Sequence, residues 1–433
     1  MSKANKTFIV LVISMILGYL PWYNFSAVLT YLADDISLTS GQIGIILSAF
    51  QLGYVIVVLL TGRLADVIGP KKVVAWATLF TAVFSTLFVW VAKDFSSVLI
   101  MRLLTGLSAG AIYVPGMAIL ANWFPPSRRG RVIGAYTGAL TVSYAGGYFV
   151  AAPLAASFGW QAGILWTSLP AFIAAWLVFS MVEEKPEDGG VSDKAFNGQE
   201  EKQRVKEAAS TPETIKPAPE GGYKGPVLIT AGYMGHMWEL YAFWGWIGPF
   251  MVASALAAGY PRAEAAALGG QIAAFIILLG APAVYLFGLV ADRIGRIKTI
   301  WICAILSLVA NLFFGYLYGQ SLAVVTMVGL WIGFWVVADS GIYKAGTTEM
   351  TDISIRSTAL GVQSAIGYSM TILSPALFGS ILEKVNPNVT DTTLASNWGL
   401  PFAVLGIGAL LAPIAMMLLN RTDQARLMAA GKK

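Results

Sequence analysis

Twelve apolar stretches, each about long enough to cross a lipid bilayer, constrain this chain more than anything else in it. They lie at approximately 7–30, 43–63, 73–92, 97–120, 131–153, 161–182, 227–253, 268–290, 298–318, 322–348, 358–382 and 397–419. A helix of about 20 mostly apolar residues crosses the hydrocarbon core. No water pairs the backbone there, so every such segment must be helical. Composition agrees: 57% of residues are hydrophobic and 12% are charged, with a mean hydropathy of +0.70, whereas a soluble domain carries roughly 25% charged residues. The expectation is an all-α integral membrane protein with twelve transmembrane helices, its surroundings the lipid bilayer. The basic head Met1–Lys6 runs into the first stretch without a small-residue cleavage site, so that stretch reads as a span and not as a removed signal.

The formal charge of +5 could suggest nucleic acid. The basic residues, however, sit in short loops beside apolar spans, which is the pattern of membrane orientation. One side carries Lys3, Lys6, Arg63, Lys71, Lys72, Arg128, Arg129 and Arg131, then Arg293, Arg296, Lys298, Arg356, Arg421, Arg426, Lys432 and Lys433. The other holds Asp34, Asp35, Lys93, Arg262, Glu383 and Lys384. The bias predicts a multi-pass protein of the cytoplasmic (inner) membrane with both termini cytoplasmic, and no nucleic-acid partner. Cys303 is the single cysteine and His236 the single histidine. Neither an intrachain disulfide nor a cysteine- or multi-histidine metal site can be built from them. No metal and no cofactor is expected.

A short polar turn occurs twice. Gly62-Arg63-Leu64-Ala65-Asp66-Val67-Ile68-Gly69-Pro70-Lys71-Lys72 returns as Gly288-Leu289-Val290-Ala291-Asp292-Arg293-Ile294-Gly295-Arg296-Ile297-Lys298. Arg129-Gly130-Arg131-Val132-Ile133-Gly134 echoes in Arg356-Ser357-Thr358-Ala359-Leu360-Gly361 at the same offset to within one residue. A weaker echo links Tyr23-Asn24-Phe25 to Tyr241-Ala242-Phe243. The chain is thus one half written twice, two pseudo-symmetric six-helix bundles at 1–182 and 226–420. The polar stretch 183–225, rich in Pro, Gly and charge of both signs, is the cytoplasmic linker; a surface helix at 200–209 is all it could form. Residues 421–433 are a cytoplasmic tail. Parallel repeats of this kind place a binding site between the halves at the bilayer midplane.

With these residues in view, the chain resembles the major facilitator superfamily over essentially its whole length. The turn between helices 2 and 3 looks like that family's Gly-x-x-x-Asp-Arg-x-Gly-Arg signature. Gly288, Asp292, Arg293, Gly295 and Arg296 match it fully. The first copy keeps Gly62, Asp66 and Gly69 but has Val67 and Pro70 where basic residues are usual, so gating rests more on Lys71, Lys72 and the second copy. Arg102 with Gly106 and Gly110 is similar to the family's helix 4 segment, and Asn122 to Gly130 resembles the following turn in organic-anion carriers, including oxalate/formate exchangers. The resemblance implies two halves that rock about a central site. It also implies that the helix 4 arginine organises packing and proton coupling.

Ionisable residues inside spans are costly and by default functional. In helix 7, His236 and Glu239 are three apart and share a face. A desolvated carboxyl and an imidazole both suit proton exchange, so they are read as coupling residues, against a purely structural buried pair. In helix 10, Trp335, Asp339 and Tyr343 recur every four residues, with Ser340, Lys344 and Thr348 on a neighbouring face. Asp339 joins the coupling set. Lys344 is the candidate anion site, unless it snorkels to the cytoplasmic side or neutralises Asp339 or Glu349. Arg102, on one face with Tyr113, offers a fork of donors for carboxylate, sulfonate or nitrate, the alternative being packing. Trp22, Tyr23, Tyr144, Tyr241, Gln363 and Tyr368 complete the candidate cavity lining, against interfacial belts.

No phosphate-binding Gly-x-x-x-x-Gly-Lys-Ser/Thr loop occurs, and no enzyme site emerges. The expected function is secondary active transport of a small solute, a small organic anion (carboxylate or sulfonate), with proton coupling or exchange, by a protein that works as a monomer. Proton-driven efflux of amphipathic or aromatic compounds is the rival within that class, and a transporter-like solute sensor the rival outside it.

Overall fold

In a computed structural model of the chain, residues 2–124, 126–184, 222–352, 355–389 and 391–431 are described. Among them twelve helices are long and apolar enough to cross a membrane, and there is no strand. They are α1 (Lys3–Ala33), α2 (Ser40–Ala65), α3 (Pro70–Val91), α4 (Phe95–Trp123), α5 (Val132–Phe158) and α6 (Trp160–Met181), then α7 (Lys224–Ala257), α8 (Arg262–Ile294), α9 (Arg296–Leu317), α10 (Leu322–Met350), α11 (Ala359–Val385) and α12 (Gly399–Asn420). All twelve expected spans are present, most of them longer than their apolar cores. The expected helix at 200–209 and the side chains of Asp66, Arg128, Arg129, Arg131 and Arg356 lie outside the described residues.

Trp76, Trp166, Trp176, Trp301, Phe313 and Ile414, on α3, α6, α9 and α12, are exposed, which in water would be a liability and in lipid is the required surface. The chain's two ends share a face. Lys3 Nζ pairs with Glu183 at 3.6 Å, and Gln424 in the tail bonds Gly222 and Gly225 at the start of α7. We refer to this as the terminal face and to its opposite as the far face.

The two groups of six helices meet along α2–α11, α5–α8 and α1–α7. At the far face they are tied. Glu383 Oε2 accepts from Thr39 Oγ1 (3.0 Å) and the Gly41 backbone N–H (2.9 Å), so a carboxylate of α11 sits on the first turn of α2. Ser40 Oγ and Thr392 Oγ1 stand 2.9 Å apart, and Arg262 reaches the Thr30 carbonyl at 2.8 Å while paired with Asp391 at 2.9 Å. Gly44 packs on Pro375 and Ala376, and Gly270 on Ala152. Towards the terminal face the same helix pairs part. A Cβ built at Gly62 on α2, Gly361 on α11, Gly134 on α5 or Gly288 on α8 meets nothing within 4 Å. The halves therefore form a wedge that is closed at the far face and open at the terminal one.

The repeated turn has one geometry in both copies. Gly69 (φ 91°) and Gly295 (φ 104°) cap α2 and α8 with N–H bonds to Ala65 and Ala291. That backbone suits glycine. Pro70, one of the first copy's departures, occupies the first position of α3, where a missing N–H costs nothing.

Candidate functional site

At the level where the wedge closes, aromatic side chains from both halves interlock. Trp22 on α1 is 2% exposed and its ring lies 4.7 to 6.5 Å from those of Tyr19, Tyr23, Phe50, Tyr54, Tyr144 and Tyr241. Tyr368 on α11 faces Tyr54 at 5.8 Å and Tyr241 at 6.1 Å, and Tyr144 faces Trp244 at 5.5 Å. Tyr148, also buried, donates to the Trp244 carbonyl at 2.9 Å. So Trp22, Tyr23, Tyr144, Tyr241 and Tyr368, expected to line one cavity, come together in a single plug. Trp22 Nε1, Trp244 Nε1 and Tyr23 Oη have no partner there. An indole N–H can only donate, so the plug offers unmet donors.

Helix breaks frame this plug. A 3₁₀ turn, Leu20–Trp22, divides α1, and the stretch from Gly110 to Ile112 divides α4. Each break frees carbonyls that a neighbour satisfies. Arg102 Nη1 and Nη2 on α4 donate to the Pro21 and Trp22 carbonyls at 3.0 and 2.9 Å, and Tyr19 Oη on α1 donates to Ala109 on α4 at 2.8 Å. The Arg102 guanidinium also lies 4.4 Å from the Phe50 ring centre. Both of its terminal nitrogens are thus committed to α1, while Nε is buried without a partner. Tyr113, sharing the helix, bonds Thr137 at 2.7 Å.

The second half repeats the α4 interruption in α10 as a turn at Asp339, between Leu322–Ala338 and Ser340–Met350. The interruption is a single residue whose backbone stays near the right-handed helical region, and Trp335, Asp339 and Tyr343, expected on one face, still line one cavity. His236 on α7 clasps the turn. Its Nδ1 lies 2.9 Å from Asp339 Oδ1, and its Nε2 lies 2.8 Å from Ser340 Oγ. Glu239 looks instead to α9, where Ser307 Oγ and Asn311 Nδ2 both donate to its Oε1, at 2.6 and 2.5 Å. His236, Glu239 and Asp339 are each at most 4% exposed. A cavity of about 10 Å³ among His236, Glu239, Ser307, Asp339 and Tyr343 joins them. That is roughly the room of one water. The expected coupling residues are therefore one cluster, but inside the second bundle and not on the wedge. Ser307 and Asn311 were missed, although a polar pair four apart in an apolar run was a visible signal.

Lys344 lies one turn past the break, half-buried on the side of α10 where a Cβ at Gly341 meets nothing within 4 Å. Both sequence candidates for its counter-ion are engaged elsewhere, Asp339 with His236 and Glu349 with Arg296 at 2.9 Å. Among the described residues no carboxylate pairs with it. Gln363 Nε2 donates to the Tyr343 carbonyl at 3.3 Å, which links α11 to α10 beside the lysine. In the repeated turn, Arg296 bridges Asp292 (2.5 Å) and Glu349, all within the second half.

Twelve spans in two matched groups, shut at one face and parted at the other, with an ionisable cluster buried inside the second group, define a multi-pass secondary transporter. The chain belongs to the Major Facilitator Superfamily, whose sequence model matches residues 11–375. It is 25% identical over 419 residues to a hexuronate transporter of Bacillus subtilis, covering 92% of each chain. It is 26% identical over 404 residues to a phosphoglycerate transporter protein of Salmonella typhimurium, covering 86% of this chain and 82% of that one. Among solved structures, that of a D-xylose-proton symporter superposes with a TM-score of 0.74 at 14% identity, over 98% of this chain and 99% of that one. These relatives are transporters, not enzymes.

Proposed function

We propose that the protein carries a small organic anion, a carboxylate or sulfonate, across the cytoplasmic membrane by alternating access, with its termini in the cytoplasm. The observation that carries this reading is Lys344, a half-buried cation in the terminal-face half of α10 whose two potential counter-ions are engaged elsewhere. A cation partly withdrawn from water within a membrane span is stabilised by an anion, and a substrate anion supplies one only while bound. The unpartnered indole donors of Trp22 and Trp244 suit the oxygens of such an acid, and two relatives are named for organic acids. The same aromatic plug would also suit amphipathic efflux substrates, but an apolar compound leaves Lys344 unpaired. Arg102, Tyr113 and Gln363 act in this account by holding α1, α4, α5, α10 and α11 in register around the ligand.

Coupling falls to His236, Asp339 and Glu239. The Ser340 hydroxyl can donate to a bare His236 Nε2 or accept from a protonated one, so the imidazole changes charge without losing either partner. Nothing among the described residues donates to Glu239 Oε2, which leaves that atom to carry a proton. Because His236 and Asp339 meet at the break in α10, their protonation can tilt the segment that bears Lys344. Gly62, Asp66, Gly69, Lys71, Gly288, Asp292, Arg293, Gly295 and Arg296 serve as the gate that closes the terminal face in the other state. The protein would work as a monomer.

A ligand-stabilisation screen of the purified protein over small carboxylates, sulfonates, cations and neutral aromatics tests the reading. A bound acid at a hundredfold over its Kd adds about 2.7 kcal/mol of apparent stability, and Lys344→Met is expected to abolish the gain. Stabilisation by cations or neutral aromatics alone would overturn it.

A further inference from the structure

The proton cluster contains one group that the coupling account does not use. Tyr343 is fully buried, and its hydroxyl faces the Asp339 carboxyl without a hydrogen bond of ordinary geometry. Leaving a buried hydroxyl unpaired costs about 1–3 kcal/mol, and phenylalanine would fill the same space without that cost. The ring is fixed by His236 at 5.4 Å and Tyr233 at 5.6 Å, while Gln363 holds its backbone carbonyl. Tyr343 lines the same cavity, of about 10 Å³, as His236, Glu239, Ser307 and Asp339. The titratable groups around it are His236, Glu239 and Tyr233 from α7, Cys303 from α9 and Asp339 from its own helix; no lysine or arginine pairs with any of them. Among the cavity's hydroxyls, that of Ser307 is committed to Glu239, so Tyr343 holds the free one.

We propose that the Tyr343 hydroxyl is the relay between the His236–Asp339 pair and Glu239. The hydroxyl proton of Tyr343 passes to the Glu239 carboxylate as the phenol oxygen takes a proton from the Asp339 carboxyl. One O–H bond breaks and one forms at tyrosine, which is neutral before and after; the net result is one proton moved from Asp339 to Glu239. The relay joins the α10 break to the α9 side of the bundle, so one proton can serve both carboxyls. This inference rests on the proton-coupled reading of the cluster.

The test is time-resolved infrared spectroscopy of the full-length purified protein after a proton jump, with no transported ligand present. The Glu239 carboxyl band is identified by its loss in Glu239→Gln. A positioned proton-transfer group accelerates transfer by about 10²–10⁴-fold, so in Tyr343→Phe the band is expected to rise roughly 100-fold more slowly to the same final amplitude. A purely structural tyrosine would leave that rate unchanged. Should Tyr343→Phe fail to fold, a fluorinated tyrosine at 343 alters only the acidity of the hydroxyl, and it is expected to change the rate. Equal rates in wild type and variants overturn the relay but leave the cluster's role intact. A spectrum with no band lost in Glu239→Gln overturns the coupling reading, and the relay with it.

Discussion

Removing Glu383 is expected to unlatch the far face. Its carboxylate accepts two hydrogen bonds from the opposite half, from Thr39 Oγ1 at 3.0 Å and Gly41 N–H at 2.9 Å. A hydrogen bond to a charged group is worth about 1.5–3 kcal/mol net. Glu383 is exposed, and water and salt compete for it, so we take roughly 1.5 kcal/mol for the two together, by the same scale. In an equilibrium between terminal-open and far-open states, that is about a tenfold shift towards far-open in Glu383→Ala. Nitroxides at Lys93 and Gln320, exposed far-face positions on the two halves, read the ratio by double electron–electron resonance. Cys303 is the only native cysteine and is buried, so labelling is clean. Gly41→Ala should act in the same way, because a Cβ there collides with Glu383 Oε2, and the two changes should not add. An unchanged distance distribution in Glu383→Ala, or full additivity with Gly41→Ala, would refute the latch.

Three further outcomes follow from the same geometry. Arg102→Met leaves two carbonyls of the α1 break without donors, and thermal unfolding in detergent should show a loss of about 2–4 kcal/mol; a fully stable variant would remove Arg102 from its positioning role. Glu239→Gln should stop proton-driven uptake while leaving ligand-induced stabilisation intact, and equal wild-type rates in both assays would count against Glu239. Asp292→Asn frees one of the two partners of Arg296 and is expected to slow exchange between states, measured by the same spin labels, with ligand affinity nearly unchanged.

The spans were legible in the sequence because hydrocarbon permits no alternative to a helix over 20 apolar residues. The turn at Gly69 and Gly295 was legible too, since glycine with positive φ leaves a mark in composition. The breaks were not. Asp339 falls inside an otherwise helical pattern, and nothing local separates a buried aspartate in a helix from one that interrupts it; the residue that holds the turn, His236, is distant in sequence. Spacing of three brought His236 and Glu239 to one face, yet the angle between them is enough to aim one at α10 and the other at α9. The far-face latch was invisible for a different reason. Glu383 and Thr39 sit at helix ends, where ordinary capping explains each alone, and only the packing of α2 on α11 joins them.

The central claim is that an organic anion crosses by rocking of the two halves about Lys344. Ser40→Cys with Thr392→Cys tests it most directly, since the native oxygens stand 2.9 Å apart across the halves, a spacing that a disulfide can bridge. Uptake of labelled hexuronate and phosphoglycerate would be followed in proteoliposomes under an imposed proton gradient, oxidised and then reduced. The account predicts uptake of an organic acid that stops on cross-linking, returns on reduction, and is absent in Lys344→Met. Uptake that persists with the far face cross-linked, or that is indifferent to Lys344, would contradict it.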